Sequence, residues 1–176
     1  MGIDGKIIYL LIGPKGSGKS FIGTLMECQF NIKFVRVEDW MKDIKKDRQI
    51  NDESYISDAF QAIEAGVRNV LKQHSKIVFE STGLSSYFDR MLNNLSANFK
   101  VITIKVNADD ALCIERVKNR DTAIHINVSD NEVQSLNGQV KAKNIITDYS
   151  LDNNNKNINE LSVELGKIIK QQAKSI

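Results

Sequence analysis

Proline is almost missing from this 176-residue chain: Pro14 is the single one. That excludes proline-rich linkers and extended polyproline segments, and it leaves long helices free to run uninterrupted. Cysteine is equally scarce. Cys28 and Cys113 are far apart in sequence, which excludes a disulfide framework or a cysteine-built metal site and predicts two reduced, partly buried thiols. Charge is nearly balanced, with a formal net charge of +2 and lysines and arginines scattered among acids, so no nucleic-acid footprint is expected. No apolar run is long enough to span a bilayer. Met1-Gly2-Ile3-Asp4 leads almost at once into an apolar run, so no signal peptide is expected; Lys6 stands where a myristoylation signal needs Ser or Thr. A cytoplasmic location is the expectation. Neither His74 nor His125 falls in a catalytic pattern: the first reads as a helix end, the second as part of a mobile loop.

What remains is ordinary globular material, 41% hydrophobic and 26% charged, with no internal repeat and no linker. One domain over 1–176 is expected, with enough chain for a sheet covered on both faces. The informative stretch is Gly13-Pro14-Lys15-Gly16-Ser17-Gly18-Lys19-Ser20, which fits G-x-x-x-x-G-K-[ST] at every fixed position. An apolar run of strand length, Lys6 to Ile12, precedes it, and Ile22, Leu25 and Met26 then share one helical face. Strand, glycine loop and helix is the context in which such a loop binds phosphate. Glycines let successive N–H groups turn onto phosphate oxygens, and the helix start adds unpaired donors and partial positive charge. In that reading Lys19 lies along the β- and γ-phosphates of a nucleoside triphosphate, and the Ser20 hydroxyl is a ligand to Mg²⁺.

The rest alternates strand and helix. Strands are expected at Lys33–Val37, Lys76–Phe79, Lys100–Val106 and Tyr149–Leu151. A long helix from Asn51 or Asp52 carries Ile56, Phe60, Ile63, Val67, Val70 and Leu71 on one face. A short helix covers Tyr87–Leu95, and a further one, capped by Asn107 or Asp109, runs into Arg116 and Arg120. Residues 40–51 read as loop or short helix, and 121–140 as a mobile polar segment with at most one short helix. Asn157 and Glu160 fit a capping box ahead of a closing helix with Leu161, Leu165, Ile168 and Ile169 inward. The fold class that follows is α/β, a three-layer sandwich with a five-stranded parallel sheet.

Three further places carry chemistry. Arg116 and Arg120 are four apart, so on a helix both guanidinium groups can reach one ligand, and the planar fork suits phosphate. Glu80 ends an apolar strand, followed by Ser81-Thr82-Gly83. Glu38 and Asp39 end the second expected strand, beside the cleft. Of the other arginines, Arg36, Arg48, Arg68 and Arg90 are those available to an anionic acceptor.

The order of these motifs resembles the adenylate kinase, shikimate kinase and gluconate kinase group of small phosphate-loop kinases, over nearly the whole chain. The resemblance implies a nucleoside monophosphate kinase-like fold and ATP and Mg²⁺ as cofactors. It implies transfer of the γ-phosphoryl group to a small-molecule acceptor: a nucleotide, a nucleoside or a hydroxylated metabolite. It implies that Gly13 to Ser20 and the arginines Arg116 and Arg120 hold ATP, with Arg120 also placed to stack on adenine. Residues 38–75 become the acceptor region and 116–143 a lid. Glu80 becomes either part of the magnesium shell, with Ser20, or the general base, as a glutamate at a similar place does in deoxynucleoside kinases; a strand-end carboxylate without a role is the third alternative. Asp39, with Glu38, falls where shikimate and gluconate kinases hold the substrate hydroxyl. The chain departs from the group in three ways. Ser81 and Thr82 intervene before Gly83, where adenylate kinases carry Asp followed directly by Gly. There is no Asp-x-Asp as in shikimate kinases, and no arginine follows Arg120, so Lys141 and Lys143 are the substitutes available on the far side of a lid. The rival reading is an ATP-binding regulatory or NTPase module without a small-molecule acceptor. A polynucleotide kinase lacks support, since no basic stripe with stacking aromatics is present.

Overall fold

The computed structural model describes residues 5–49, 51–120 and 129–173. Five strands form one sheet in the order β2-β3-β1-β4-β5, every neighbouring pair parallel. They are β1 (Ile7–Ile12), β2 (Lys33–Phe34), β3 (Lys76–Ser81), β4 (Lys100–Asn107) and β5 (Tyr149–Asp152). The helices are α1 (Lys19–Phe30), α2 (Val37–Lys45), α3 (Glu53–Gln73), α4 (Ser86–Ser96), α5 (Asp110–Lys118), α6 (Asp130–Lys143) and α7 (Ile158–Ala173). Among the described residues no helix is long and apolar enough to cross a membrane.

β1 is central, and all six of its residues are buried, as a strand covered on both faces requires. Its side chains alternate between two cores. Ile7, Tyr9 and Leu11 pack with Ile22, Leu25 and Met26 of α1 and with Leu161, Leu165 and Ile168 of α7. Ile8, Leu10 and Ile12 face Ile63, Val67 and Leu71 of α3 and Phe88, Met91 and Leu95 of α4. This is the expected three-layer sandwich. Strand order reverses about β1, so the crevice that ligands use in open parallel sheets falls beyond the carboxyl ends of β1 and β3.

Local chemistry sets the helix ends. Asp52 caps α3, its carboxylate accepting from the N–H groups of Ser54 and Tyr55. Asn157 and Glu160 form the expected reciprocal cap. The second expected strand is shorter than Lys33–Val37. After Phe34 the Val35 amide still pairs with Val78, at 2.8 Å, but Val37 already opens α2. Glu38 and Asp39 lie in the first helical turn, where the helix dipole favours acids.

Residues 130–143 are a regular helix rather than a mobile stretch. Ser129 and Glu132 cap it reciprocally, and Val133, Asn137 and Val140 form its buried stripe. The polar Asn137 interrupts the apolar period that a sequence reading follows. Residues 121–128, with His125, lie outside the described residues. Cys113 is buried but Cys28 is exposed, so only one of the two thiols is sheltered.

Candidate active site

The register pairs Leu11 with Glu80 and Ile12 with Ser81, which brings the end of β3 beside the glycine loop that follows β1. The loop is tight because only glycine tolerates it. Gly16 and Gly18 have φ of 85° and 91°, and a Cβ on either would overlap the Cys113 carbonyl or the Asn153 side-chain amide. Gly18 is the N-cap of α1 and supplies no side-chain cap. The first-turn donors of α1 therefore face the crevice without a capping partner. The Ser17 hydroxyl is buried without a hydrogen-bond partner.

Three side chains that are distant in sequence brace this loop. Asn137 of α6 accepts from the Lys15 N–H at 2.8 Å and donates to the Lys15 carbonyl at 3.0 Å. Asn153, just after β5, donates to the Ser17 carbonyl at 2.8 Å. Arg116 donates to the carbonyls of Asn153 at 2.9 Å and Asn154 at 3.3 Å, and reaches that of Gly16 at 3.5 Å. Both asparagines are buried, and neither stood out in the sequence. For Asn137 the available signal was an asparagine at an inward helical position, where Leu or Val is expected; Asn153 lies in the run of asparagines after β5, which reads as a turn.

Lys19 is 8% exposed and donates to the carbonyls of Gly13 and Pro14 at 2.9 and 2.8 Å. Burial lowers its pKa from 10.5 to about 8, against the opposing pull of Glu80. Burial likewise lowers the pKa of Lys15, opposed first by Glu38. The charge of Arg120 presses in the same direction on both lysines. Arg120 lies just past the end of α5, its N–H donating to the Val117 carbonyl. The two arginines thus reach the crevice without sharing one continuous helix: Arg116 from the helix, Arg120 from the turn beyond it.

The Ser20 hydroxyl donates to Glu80 Oε1 at 2.7 Å. Among the described residues no group of three His, Cys, Asp or Glu gathers to hold a metal unaided. The Ser20–Glu80 pair supplies hard oxygen donors beside a phosphate-shaped loop, a set that fits Mg²⁺ shared with a polyphosphate.

The loop opens into a cavity of about 440 Å³. Lys15, Lys19, Ser20, Glu80, Arg116 and Arg120 line one end, and Glu38, Tyr55 and apolar side chains of α2 and α3 the other. Ile56 and Phe60, on the expected apolar face of α3, line this space, and Phe60 also packs against the core beside it. Asp39 does not reach it: it is exposed and paired with Arg36 at 3.5 Å. Glu38, one residue earlier on the first turn of α2, is the acid that does.

The four candidate acceptor arginines are elsewhere. Arg48 pairs with Asp58, Arg68 with Glu64, and Arg90 lies over the Tyr87 ring. Lys141 pairs with Asp110, while Lys143 donates to the Gly83 carbonyl and to Asp89. Both lysines anchor α6 to its neighbours.

A family model described as an AAA domain matches residues 8–142. No curated protein matches the chain in sequence. Solved structures do resemble it. Shikimate kinase from Bacteroides thetaiotaomicron is 13% identical with a TM-score of 0.66, covering 93% of this chain and 98% of that one. APS kinase from Mycobacterium tuberculosis is 14% identical with a TM-score of 0.62, covering 94% and 98%. Thymidylate kinase from Candida albicans is 15% identical with a TM-score of 0.61, covering 96% and 92%. At these identities the likeness is one of fold, that of the small phosphate-loop kinases.

Proposed function

The chain belongs to the AAA domain family, and from that premise we propose that it is a phosphotransferase moving the γ-phosphoryl group of Mg-ATP to the hydroxyl of a small molecule. One observation carries the reading: the buried Lys19 and the Ser20–Glu80 pair face the same cavity as Glu38, with no wall between the phosphate end and the acceptor end. A nucleotide switch needs no such second chamber.

The residues divide the work by position. Amides from Gly16 to Ser20 hold the phosphate oxygens. Lys19 and Arg120 carry positive charge to where negative charge grows during transfer. Lys19 must leave the carbonyls of Gly13 and Pro14 for that purpose. Arg116, already braced on Gly16, Asn153 and Asn154, acts by holding the loop in shape. Ser20 and Glu80 would hold Mg²⁺, which when bound neutralises charge on the β- and γ-phosphates. Glu38 orients the acceptor hydroxyl and takes its proton. The fold neighbours are kinases of shikimate, APS and thymidylate by name, which agrees with small-molecule transfer without identifying the acceptor here.

The test is ADP release from Mg-ATP in the presence of pooled nucleosides, nucleotides, sugars, sugar acids and neutral alcohols. Stimulation by one pool, lost in Lys19→Ala, supports transfer. Tight ATP binding with no pool stimulating release supports the regulatory alternative.

A further inference from the structure

The acceptor end of the cavity has a composition that restricts what can enter it. Its walls come from Met41 on α2, from Ile56 and Phe60 on α3, and from Phe79, Leu84 and Met91 on the far side. Its polar side chains are an acid and hydroxyls rather than cations: Glu38, Tyr55, and Ser81, Thr82 and Ser85 at and beyond the end of β3. Among the described residues the cations lining the cavity are Lys15, Lys19, Arg116 and Arg120, all from the phosphate loop, α5 or the turn after it, and the one that interacts with Glu38, Lys15, faces that acid already. Arg36, Arg68 and Arg90 are engaged by Asp39, Glu64 and the Tyr87 ring, and Arg48 pairs with Asp58 and lies over the ring of Tyr55; none of the four lines the cavity.

A carboxylate or phosphate ester placed among these walls would lose its hydration with only Lys15, already facing Glu38, to compensate it, and would sit close to Glu38 and Glu80. An uncharged body meets neither penalty, and two flexible methionines let the walls adapt to its shape. We propose that the acceptor is an uncharged alcohol or phenol with a largely apolar body, its hydroxyl presented between Glu38 and the phosphate end. The inference rests on the phosphotransferase reading. In the step, the hydroxyl oxygen bonds to the γ-phosphorus and the bond from that phosphorus to the β–γ bridging oxygen breaks. ADP leaves with the electron pair, and Glu38 receives the hydroxyl proton. The products are a phosphate monoester and ADP.

The experiment uses matched probes: 2-naphthaleneethanol against 2-naphthaleneacetate, titrated calorimetrically into the full chain saturated with Mg²⁺ and a non-hydrolysable ATP analogue. The alcohol is expected to bind at least about tenfold more tightly, the ratio set by one unpaired charge in an apolar site. Ile56→Arg, which puts a cation into the chamber, is expected to reverse the order. Leu84→Arg serves the same purpose should the first variant fail to melt cooperatively. Equal or tighter binding of the carboxylate to the unmodified chain overturns the inference, as does failure of both probes while the analogue binds. If the analogue itself does not bind, or binds Lys19→Ala equally well, the phosphotransferase reading falls and takes this inference with it.

Discussion

Replacing Lys19 by methionine should make the free protein more stable while removing its ability to hold ATP. The ammonium group is buried, and burial lowers its pKa from 10.5 to about 8. At pH 7 that shift corresponds to about 3 kcal/mol of penalty on the charged form. Methionine keeps the length of the side chain and removes the charge. It also withdraws the donor from the carbonyls of Gly13 and Pro14, a loss of about 1 to 2 kcal/mol. The net expectation is a gain of about 1 to 2 kcal/mol, or a rise in Tm of about 2 to 6 °C for a chain of this size. The sign can be checked against pH. A lysine whose folded pKa lies below its unfolded value penalises folding fully below the folded pKa, and the penalty fades as pH rises from about 8 toward 10.5. The advantage of Lys19→Met should therefore shrink by about 1 kcal/mol between pH 7.5 and 9. The Cys113 thiol, pushed up by burial, is also pulled down by the charge of Lys19, so the difference between the two proteins is compared across pH with Cys113→Ala in both. Urea unfolding of both proteins at several pH values measures it, with calorimetric titration of Mg-ATP alongside. A variant that melts well below the parent, or whose advantage grows with pH, would refute the view that this lysine is held at an energetic cost for function.

Other perturbations follow from the bracing of the loop and of the acceptor wall. Asn137→Leu keeps the buried volume but leaves the Lys15 N–H and carbonyl without partners, so stability should fall by about 1 to 3 kcal/mol; the KM for ATP should rise with it, read from melting and steady-state kinetics. In Gly66→Ala the new Cβ would meet the Trp40 ring at 2.5 Å, pushing α2 off α3. A loss of about 1 to 3 kcal/mol is expected, and because α2 carries Glu38 and Met41, acceptor affinity should weaken more than ATP affinity. Glu80→Gln preserves the shape and the hydrogen bond from Ser20 but removes the carboxylate charge. Turnover should fall at least about a hundredfold, and added Mg²⁺ should recover part of it if the carboxylate helps to hold the cation.

Where local rules carried the information, the sequence was enough. Gly13 to Ser20 specified strand, loop and helix together, because glycine conformation and helix-start chemistry are local matters. The apolar spacing of Ile63, Val67 and Leu71 on α3 and of Leu161 and Leu165 on α7 located both faces of the sheet. The failures share one physical cause, tertiary structure overriding a local pattern. α6 was read as at most one short helix because Asn137, the residue that fastens it to Lys15, takes an apolar place. The second strand ended early because Glu38 and Asp39 favour the first turn of a helix over an extended edge. That turn also decides which acid faces the cavity, and it selects Glu38 over Asp39, a choice no spacing rule could make. The apolar face of α3 was legible, but a helical stripe does not reveal that Ile56 and Phe60 on it also line a chamber. The loss of Arg36, Arg48, Arg68 and Arg90 to acidic and aromatic neighbours was likewise invisible without coordinates.

The central claim is that the amides of the first strand-to-helix turn wrap a polyphosphate, and backbone NMR of the ¹⁵N-labelled protein tests it most directly. On titration with Mg-ATP the account predicts that the amide resonances of Gly16, Gly18, Lys19 and Ser20 move most, with the Asn137 and Asn153 side-chain amides following. Saturable Mg-ATP binding that leaves those resonances in place and shifts another region of the chain would contradict it.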